Sequence, residues 1–349
     1  MYLFARMVIL LVFALLTHSL LASDACLDRG IKTAASVEVS DGSRFNTESF
    51  FLSSEFSAIR HIDEEDQLIA VEGPLAWMQR GDKSQLGGDG LKRFALGHQF
   101  HALLIYFDEM VTDISSRNTV SFMGGKHQGR GGAYPHGGEV ILIQDAQDAR
   151  PLGLVLTLPD APRMEMAFRD WRDYEGRPLP LQIRIDDGSR VFDYSYTRLE
   201  VFRATPTWFF EAVEAPDIDE LKMYRLHRML MAAHCIGDAD LIASLSAAEI
   251  TSSGQGVLKR FSRDSMRTRF SGVFEQVNYL HYEDIASPVI EVSDAGDIGW
   301  IAVNIRTRGI VIGGDQSFDD QWSWFMLTRK VDGKWLNAGI ASNFLPDPD

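Results

Sequence analysis

The chain has 349 residues, of which 45% are hydrophobic and 24% are charged, and its formal net charge is -15. This composition is typical of a folded protein and excludes a mostly disordered or fibrous chain. At about 150 residues per domain, the length predicts two domains. The acidic balance would repel phosphate backbones and anionic lipid surfaces, so no nucleic-acid partner is expected.

The first 25 residues predict a secretory signal peptide. One basic residue, Arg6, precedes an apolar run from Met7 to Leu21, which is shorter than the roughly 20 residues that span a bilayer. Small residues follow, so cleavage is expected after Ala25, with Ala22 as the alternative, and retention as an uncleaved anchor stays open. No second apolar run of spanning length follows. The mature protein is therefore expected to have no transmembrane segment and to be periplasmic or secreted.

The chain contains two cysteines, Cys26 and Cys235. Asp24, close to the expected cleavage site, argues against a lipoprotein signal and hence against acylation of Cys26. An oxidising compartment would permit a disulfide between the two cysteines. The favoured interpretation is that Cys235, inside an apolar helical pattern, is a buried small hydrophobic side chain.

Two sequence patterns divide the mature chain into domains. Residues 26–205 are rich in predicted strands, and residues 218–349 begin with helical patterns and end in strands. Between them, residues 206–217 contain Pro206 and Pro216, which interrupt regular structure and predict a linker.

The sequence pattern of the first domain predicts a curved antiparallel sheet covered by one helix. Alternation of apolar and polar residues predicts one covered face, and the helical spacing of Leu91 to Val111 predicts the helix that covers it. The segment Gly124 to Gly138 lacks the spacing of a phosphate-binding loop and is expected to be a surface loop. The predicted strands are 48–60, 67–73, 138–145, 152–158, 163–174, 181–187 and 191–202.

The end of this domain, from Phe168 to Phe202, resembles the closing hairpins of the lipoprotein-carrier (LolA/LolB-like) fold. Gly176, Pro178 and Pro180 supply the turn of that pattern. The resemblance implies a periplasmic cavity for acyl chains or another apolar ligand.

The second domain predicts helices first and then a bent antiparallel sheet, so the fold class expected for the whole chain is α+β. A long helix beginning near Ile218 is expected to end at Gly237, because glycine commonly terminates helices. A short helix and a third one over 264–277 follow, and then strands over 280–293, 297–314 and 321–344. Asp332 and Gly333 predict a tight hairpin inside the last segment.

This order resembles the nuclear transport factor two-like (NTF2-like) fold in its SnoaL-like branch. The resemblance is carried by Gly237–Asp240, Pro288–Val292, Gly296–Trp300, Asp332–Trp335 and Ala341–Ser342. It implies a cone-shaped α+β domain in which the sheet curls around a pocket closed by the first helix, and a homodimer formed through this domain.

A pocket of this kind would be lined by aromatic and sparsely polar side chains. His281 and Asp284 are candidate catalytic residues, since related enzymes use a His or Asp as general base. Where SnoaL-like relatives often have a His shortly before the final Ser, this sequence has Gly339-Ile340-Ala341, which argues against the standard chemistry. The candidate ligand-binding residues are Tyr224, His227, His234, Tyr279, Trp300, Asn304, Trp322 and Trp324.

The only metal-binding candidates are His98 and His101, which lie three residues apart on the predicted helix of the first domain. No carboxylate or further His at suitable spacing completes a coordination sphere, so no metal and no cofactor are predicted.

The sequence favours an exported protein that binds an apolar or aromatic small molecule or a lipid, without catalysis, in one or both domains. The alternative is an enzyme of the SnoaL-like kind that moves protons in the C-terminal pocket, as an isomerase, dehydratase or hydrolase. A second alternative is a dimerisation or protein-interaction module.

Overall fold

Strands dominate the structure and correct the predicted fold class. The computed structural model describes residues 28–63, 66–134, 137–145, 150–159, 161–174, 176–254, 256–314 and 316–345. Of these, 59% lie in strands and 20% in helices, so the α+β class is wrong and the protein is mostly β. The chain divides into an N-terminal unit, residues 29–204, and a C-terminal unit that begins at Thr205.

The N-terminal unit contains a 13-stranded sheet. Its strands are β1 (Asp28–Val39), β2 (Arg44–Ser53), β3 (Phe56–Ile62), β4 (Gln67–Glu72), β5 (Leu75–Arg80), β6 (Lys83–Gly87), β7 (Thr112–Phe122), β8 (Gly125–Ala133), β9 (Glu139–Gln144), β10 (Pro151–Thr157), β11 (Met164–Tyr174), β12 (Arg177–Asp186) and β13 (Val191–Ala204). Strands β1 to β6 form one antiparallel meander and β7 to β13 a second, and β13 lies beside β1. The sheet is nearly twice as large as the seven segments predicted.

Three short helices replace the single predicted helix of this unit. They are α1 (Asp89–Gly97), α2 (Phe100–Ile105) and α3 (Phe107–Met110). The backbone leaves the helical conformation at Gln99 and Tyr106, which breaks the helix into three pieces. Leu96, Phe100, Leu103 and Phe107 are almost completely buried, in one cluster with side chains of β1, β2 and β9 to β13. The helices themselves therefore fill the covered face of the sheet.

The Gly-rich segment is a strand and not the expected surface loop. Strand β8 lies between β7 and β9 in the sheet. A Cβ at Gly131 would lie 2.5 Å from the carbonyl oxygen of Val140, and one at Gly132 would lie 2.1 Å from that of Thr112. The glycines therefore permit a close approach of neighbouring backbones, which is one of the roles of glycine within strands.

The C-terminal unit combines four helices with a seven-stranded sheet. The helices are α4 (Pro206–Ala212), α5 (Asp219–Ile236), α6 (Ala239–Ser244) and α7 (Arg263–Phe274), and the strands are β14 (Ser246–Gly254), β15 (Val257–Ser262), β16 (Val277–Asp284), β17 (Val289–Val292), β18 (Ile298–Val311), β19 (Ser317–Val331) and β20 (Lys334–Leu345). The strand order is β15-β14-β20-β19-β18-β16, with β17 also paired to β18.

Two features of this unit depart from the expected helices-then-antiparallel-sheet order. Strands β14 and β15 precede α7, and β14 pairs with β20 in parallel. Helix α4 lies within residues 206–217, the segment assigned to a linker. The end of α5 is as predicted, because Gly237 adopts the left-handed conformation with φ of 70°. The predicted hairpin between β19 and β20 is also confirmed, with positive φ at Asp332 and Gly333.

The predicted signal peptide and Cys26 lie outside the described residues. Cys235 is disulfide-bonded, so its interpretation as an unpaired buried side chain is wrong. Across the described part of the chain, each helix is too short or too polar to span a bilayer.

Candidate functional site

Helix α5 passes through the core of the C-terminal unit and positions the candidate site. Its buried residues lie on most of its circumference, which is typical of a helix enclosed by other elements. At its first turn, Asp219 accepts hydrogen bonds from Lys330 Nζ at 2.7 Å and from Trp335 Nε1 at 2.9 Å. These bonds fix the start of the helix to the hairpin of β19 and β20.

A cavity of about 500 Å³ lies between α5, α7 and the sheet. This volume lies within the usual range for sites that bind small organic molecules. Most of its lining side chains are apolar or aromatic. They are Leu230, His234, Ile242, Ser252, Met266, Arg269, Phe270, Val273, Val277, Tyr279, Tyr282, Thr307, Phe318, Asp320, Trp322, Trp324, Met326, Asn337, Ile340 and Ser342.

Aromatic rings gather around His234 on one side of this cavity. The imidazole stacks on Tyr282 with a centroid distance of 4.7 Å and an interplanar angle of 28°. Phe270 meets its edge at 5.0 Å, and Trp324 lies at 6.0 Å. Tyr279 contacts Tyr282 edge to face at 5.2 Å. We call His234, Tyr279, Tyr282, Phe270 and Trp324 the aromatic cage.

The polar groups of the cage are uncharged at neutral pH. His234 Nδ1 donates to the carbonyl oxygen of Leu230 at 2.7 Å, which leaves Nε2 as the unprotonated nitrogen. Burial lowers the pKa of His234 to about 4, and burial raises the pKa of Tyr282 well above its usual value. The imidazole therefore stays neutral and the phenol stays protonated.

Four of the eight predicted ligand-binding residues line the cavity, namely His234, Tyr279, Trp322 and Trp324. Tyr224 is buried elsewhere along α5, with 1% exposure. Trp300 and Asn304 share a face of β18 as expected, but it is the face opposite Ile301, Val303 and Ile305, which pack in the core. On that opposite face Trp300 stacks on Phe325 at 5.2 Å.

That α7 contributes ligand-binding residues was not predicted from the sequence. Met266, Arg269, Phe270 and Val273 all line the cavity. Their i, i+3, i+4, i+7 spacing is the usual signal of one helix face, and it was available in the sequence.

Two further candidates, His227 and Asp284, form a buried ionic network with Arg228 outside the cavity lining. His227 Nε2 donates to Asp284 Oδ1 at 2.8 Å, and Arg228 Nη1 donates to Asp284 Oδ2 at 3.0 Å. Burial by itself would raise the pKa of Asp284, but the hydrogen bonds and charges of His227 and Arg228 outweigh it and hold that pKa below its usual value. His281 is half-buried on β16, opposite Arg308 of β18. Neither candidate catalytic residue lines the cavity.

The histidines of the N-terminal unit are engaged separately. His101 Nε2 hydrogen-bonds the carbonyl oxygen of Pro180 at 2.7 Å, and His98 Nδ1 that of Phe94 at 2.8 Å. His98 packs near His61, with ring centroids 5.8 Å apart. No group of three or more metal-ligating side chains occurs in the described ranges.

A second cavity, of about 890 Å³, lies in the N-terminal unit. Its rim includes the exposed charged residues Arg29, Asp173, Arg177, Glu200 and Arg203. This mixed-charge surface provides no aromatic enclosure comparable with the cage of the C-terminal unit.

Comparison with known proteins finds similarity only among solved structures, and the three described below match between 35% and 39% of this chain. No family model matches the sequence, and no curated protein matches it. A ketosteroid isomerase-like protein from Erwinia carotovora atroseptica is 14% identical with a TM-score of 0.32, and the match covers 37% of this chain and 98% of that protein. An NTF2-like superfamily protein from Salmonella enterica is 9% identical with a TM-score of 0.34, covering 39% and 96% respectively. An NTF2-like protein from Rhodospirillum rubrum is 14% identical with a TM-score of 0.30, covering 35% and 96%.

The names of these solved structures, NTF2-like and ketosteroid isomerase-like, agree with the NTF2-like resemblance of the sequence. The LolA/LolB-like resemblance of the N-terminal unit stays a prediction.

Proposed function

We propose that the C-terminal unit binds a small aromatic or apolar molecule in its cavity without catalysing its conversion. The observation that carries this proposal is the aromatic cage around His234 on the wall of a cavity of about 500 Å³. Flat aromatic walls offer a large contact area to planar ligands. The few polar groups beside them would orient the bound molecule.

The state of the titratable groups supports binding over proton transfer. A general base works best when its pKa lies near the operating pH. The pKa of His234 is about 4, so this imidazole is a weak base at neutral pH. The carboxylate of Asp284 is held by His227 and Arg228 and does not line the cavity.

A neutral fluorescent probe, N-phenyl-1-naphthylamine, tests the proposal. We expect saturable binding at one probe per chain, with quenching of the emission of Trp322 and Trp324. Two matched variants locate the site: Ser342→Phe places a ring in the cavity, whereas Ser323→Phe places the same ring on the exposed face of β19.

Ser342→Phe should weaken probe binding by about tenfold or more, whereas Ser323→Phe should leave it unchanged. Absence of saturable binding, or equal binding by both variants, would refute the proposal. If the probe binds as expected, native mass spectrometry of the protein isolated from its own cell identifies the natural ligand by the mass of the molecule that co-purifies.

We further propose that the protein is exported to the periplasm or secreted. The disulfide bond of Cys235 supports this, because disulfides persist in oxidising compartments. Thiol titration of the denatured, unreduced protein should find no free thiol at Cys235. Cell fractionation should place the chain outside the cytoplasm, and recovery in the cytoplasm with a free Cys235 thiol would overturn this proposal.

A further inference from the structure

Three arginines of α7 differ in what their guanidinium groups contact. Arg263 donates twice to the carbonyl oxygen of Ser246, at 3.0 and 2.8 Å. Arg267 forms ion pairs with Asp240 and Asp264 at 2.7 and 3.0 Å. Arg269 has no acceptor within the part of the chain that the structure describes; its guanidinium lies 5.3 Å from the ring centroid of Phe261.

Arg269 lies where a bound molecule would meet solvent. It lines the cavity together with Met266, Phe270 and Val273 of the same helix face, and its side chain is exposed, whereas Met266 is buried. The contact with Phe261 holds the guanidinium in place through a cation-π interaction. A cation with unused donors thus stands at the edge of an aromatic cavity.

The charges around the cavity favour one position for an anionic group. Arg269 is the one basic residue among the described lining residues, and Asp320 is the one acidic residue. Burial and the charge of Asp320 raise the pKa of Tyr279, which places this carboxylate near the Tyr279 side of the cavity. An anion would be repelled there and attracted to Arg269, and no ion pair joins Arg269 to Asp320.

We propose that the ligand is an aromatic carboxylate. Its ring system lies against the aromatic cage, and its carboxylate accepts hydrogen bonds from the guanidinium of Arg269. The planar guanidinium fork matches a carboxylate in two parallel hydrogen bonds. This inference rests on the proposed binding function and adds the chemical class of the ligand.

The test compares 2-naphthoic acid with 2-naphthamide, a neutral analogue of nearly the same shape, by isothermal titration calorimetry on the full chain. We expect the acid to bind about tenfold more tightly than the amide at low ionic strength. Arg269→Gln should abolish this preference, and Arg269→Lys should retain part of it. Arg267→Gln, an exposed arginine of the same helix, should leave the preference unchanged.

The outcomes separate this inference from the proposed function. If acid and amide bind equally and Ser342→Phe weakens both, the cavity binds aromatic molecules and the carboxylate inference is overturned. A preference for the acid that survives in Arg269→Gln overturns it as well. If neither compound nor the neutral probe binds, the binding function itself fails. The melting temperature of each variant, measured by circular dichroism, must match that of the unmodified protein for these comparisons.

Discussion

Replacing Asp284 with Asn should destabilise the C-terminal unit. The carboxylate is 8% exposed, and its partners His227 and Arg228 are 0% and 14% exposed. Removing one charge from a buried ion pair leaves the other without compensation, which typically costs about 3 to 5 kcal/mol. Asn keeps an oxygen that can accept from His227 Nε2, so we expect a loss near the lower end, about 3 kcal/mol.

Urea denaturation of the full chain, followed by tryptophan fluorescence and far-ultraviolet circular dichroism, measures this loss. The control is Asp319→Asn, which breaks the solvent-exposed pair with Arg306 and should leave the unfolding free energy nearly unchanged. Equal stability of Asp284→Asn and the unmodified protein would refute the structural role assigned to this network.

The pH dependence of the same comparison gives a second test. The folded-state pKa of Asp284 is lowered, so its stabilisation is present above the unfolded-state pKa, near 3.9, and is lost as the pH falls through the folded-state value. The difference in unfolding free energy between the unmodified protein and Asp284→Asn should therefore shrink as the pH is lowered below about 4.

Three further predictions concern the C-terminal unit, two at single positions and one about its oligomeric state. The pKa of His234 is about 4 in the folded state and about 6.5 in the unfolded state, so the unfolded state takes up the proton first as the pH falls. The free energy of unfolding should therefore drop by about 3 kcal/mol between pH 6.5 and 4. His234→Asn should flatten this part of the pH dependence of the unfolding free energy, measured by urea denaturation. Gly237→Ala should lower the free energy of unfolding by about 1 kcal/mol because φ is 70° at this position. The control is Gly272→Ala, inside α7 with open space around it, which should cause no loss. Thermal melts of both variants measure the difference. The homodimer through the C-terminal unit stays a prediction, and light scattering that finds a monomer would remove it.

The sequence predicted elements whose signals are local. The apolar pattern of α5 and the glycine that ends it needed no knowledge of neighbours, and the same holds for the hairpin at Asp332 and Gly333. Strand β8 was not predicted because its glycines permit the close approach of the backbones of β7 and β9. These neighbours are known only once the sheet has formed. Composition alone cannot separate that role from a loop.

Only four of the eight predicted ligand-binding residues line the cavity, because the sequence pattern does not show which face of a strand is covered. Period-two alternation assigns Trp300 and Asn304 to one face of β18 and Trp322 and Trp324 to one face of β19. Alternation does not tell which of the two faces meets the helices. The buried face of β18 carries Ile301, Val303 and Ile305, so Trp300 and Asn304 lie away from the cavity while Trp322 and Trp324 line it.

The two histidines of α5 show how one strand gives two similar side chains different roles. His227 and His234 lie seven residues apart on one helix face, and α5 packs against β16. Asp284 of β16 contacts His227, and Tyr282 of the same strand stacks on His234. The carboxylate forms a charged network at one end, and the phenol forms a neutral aromatic wall at the other. Because the network fixes α5 to β16 beside the cavity, it holds the cage in place before a ligand arrives, which reduces the entropic cost of binding.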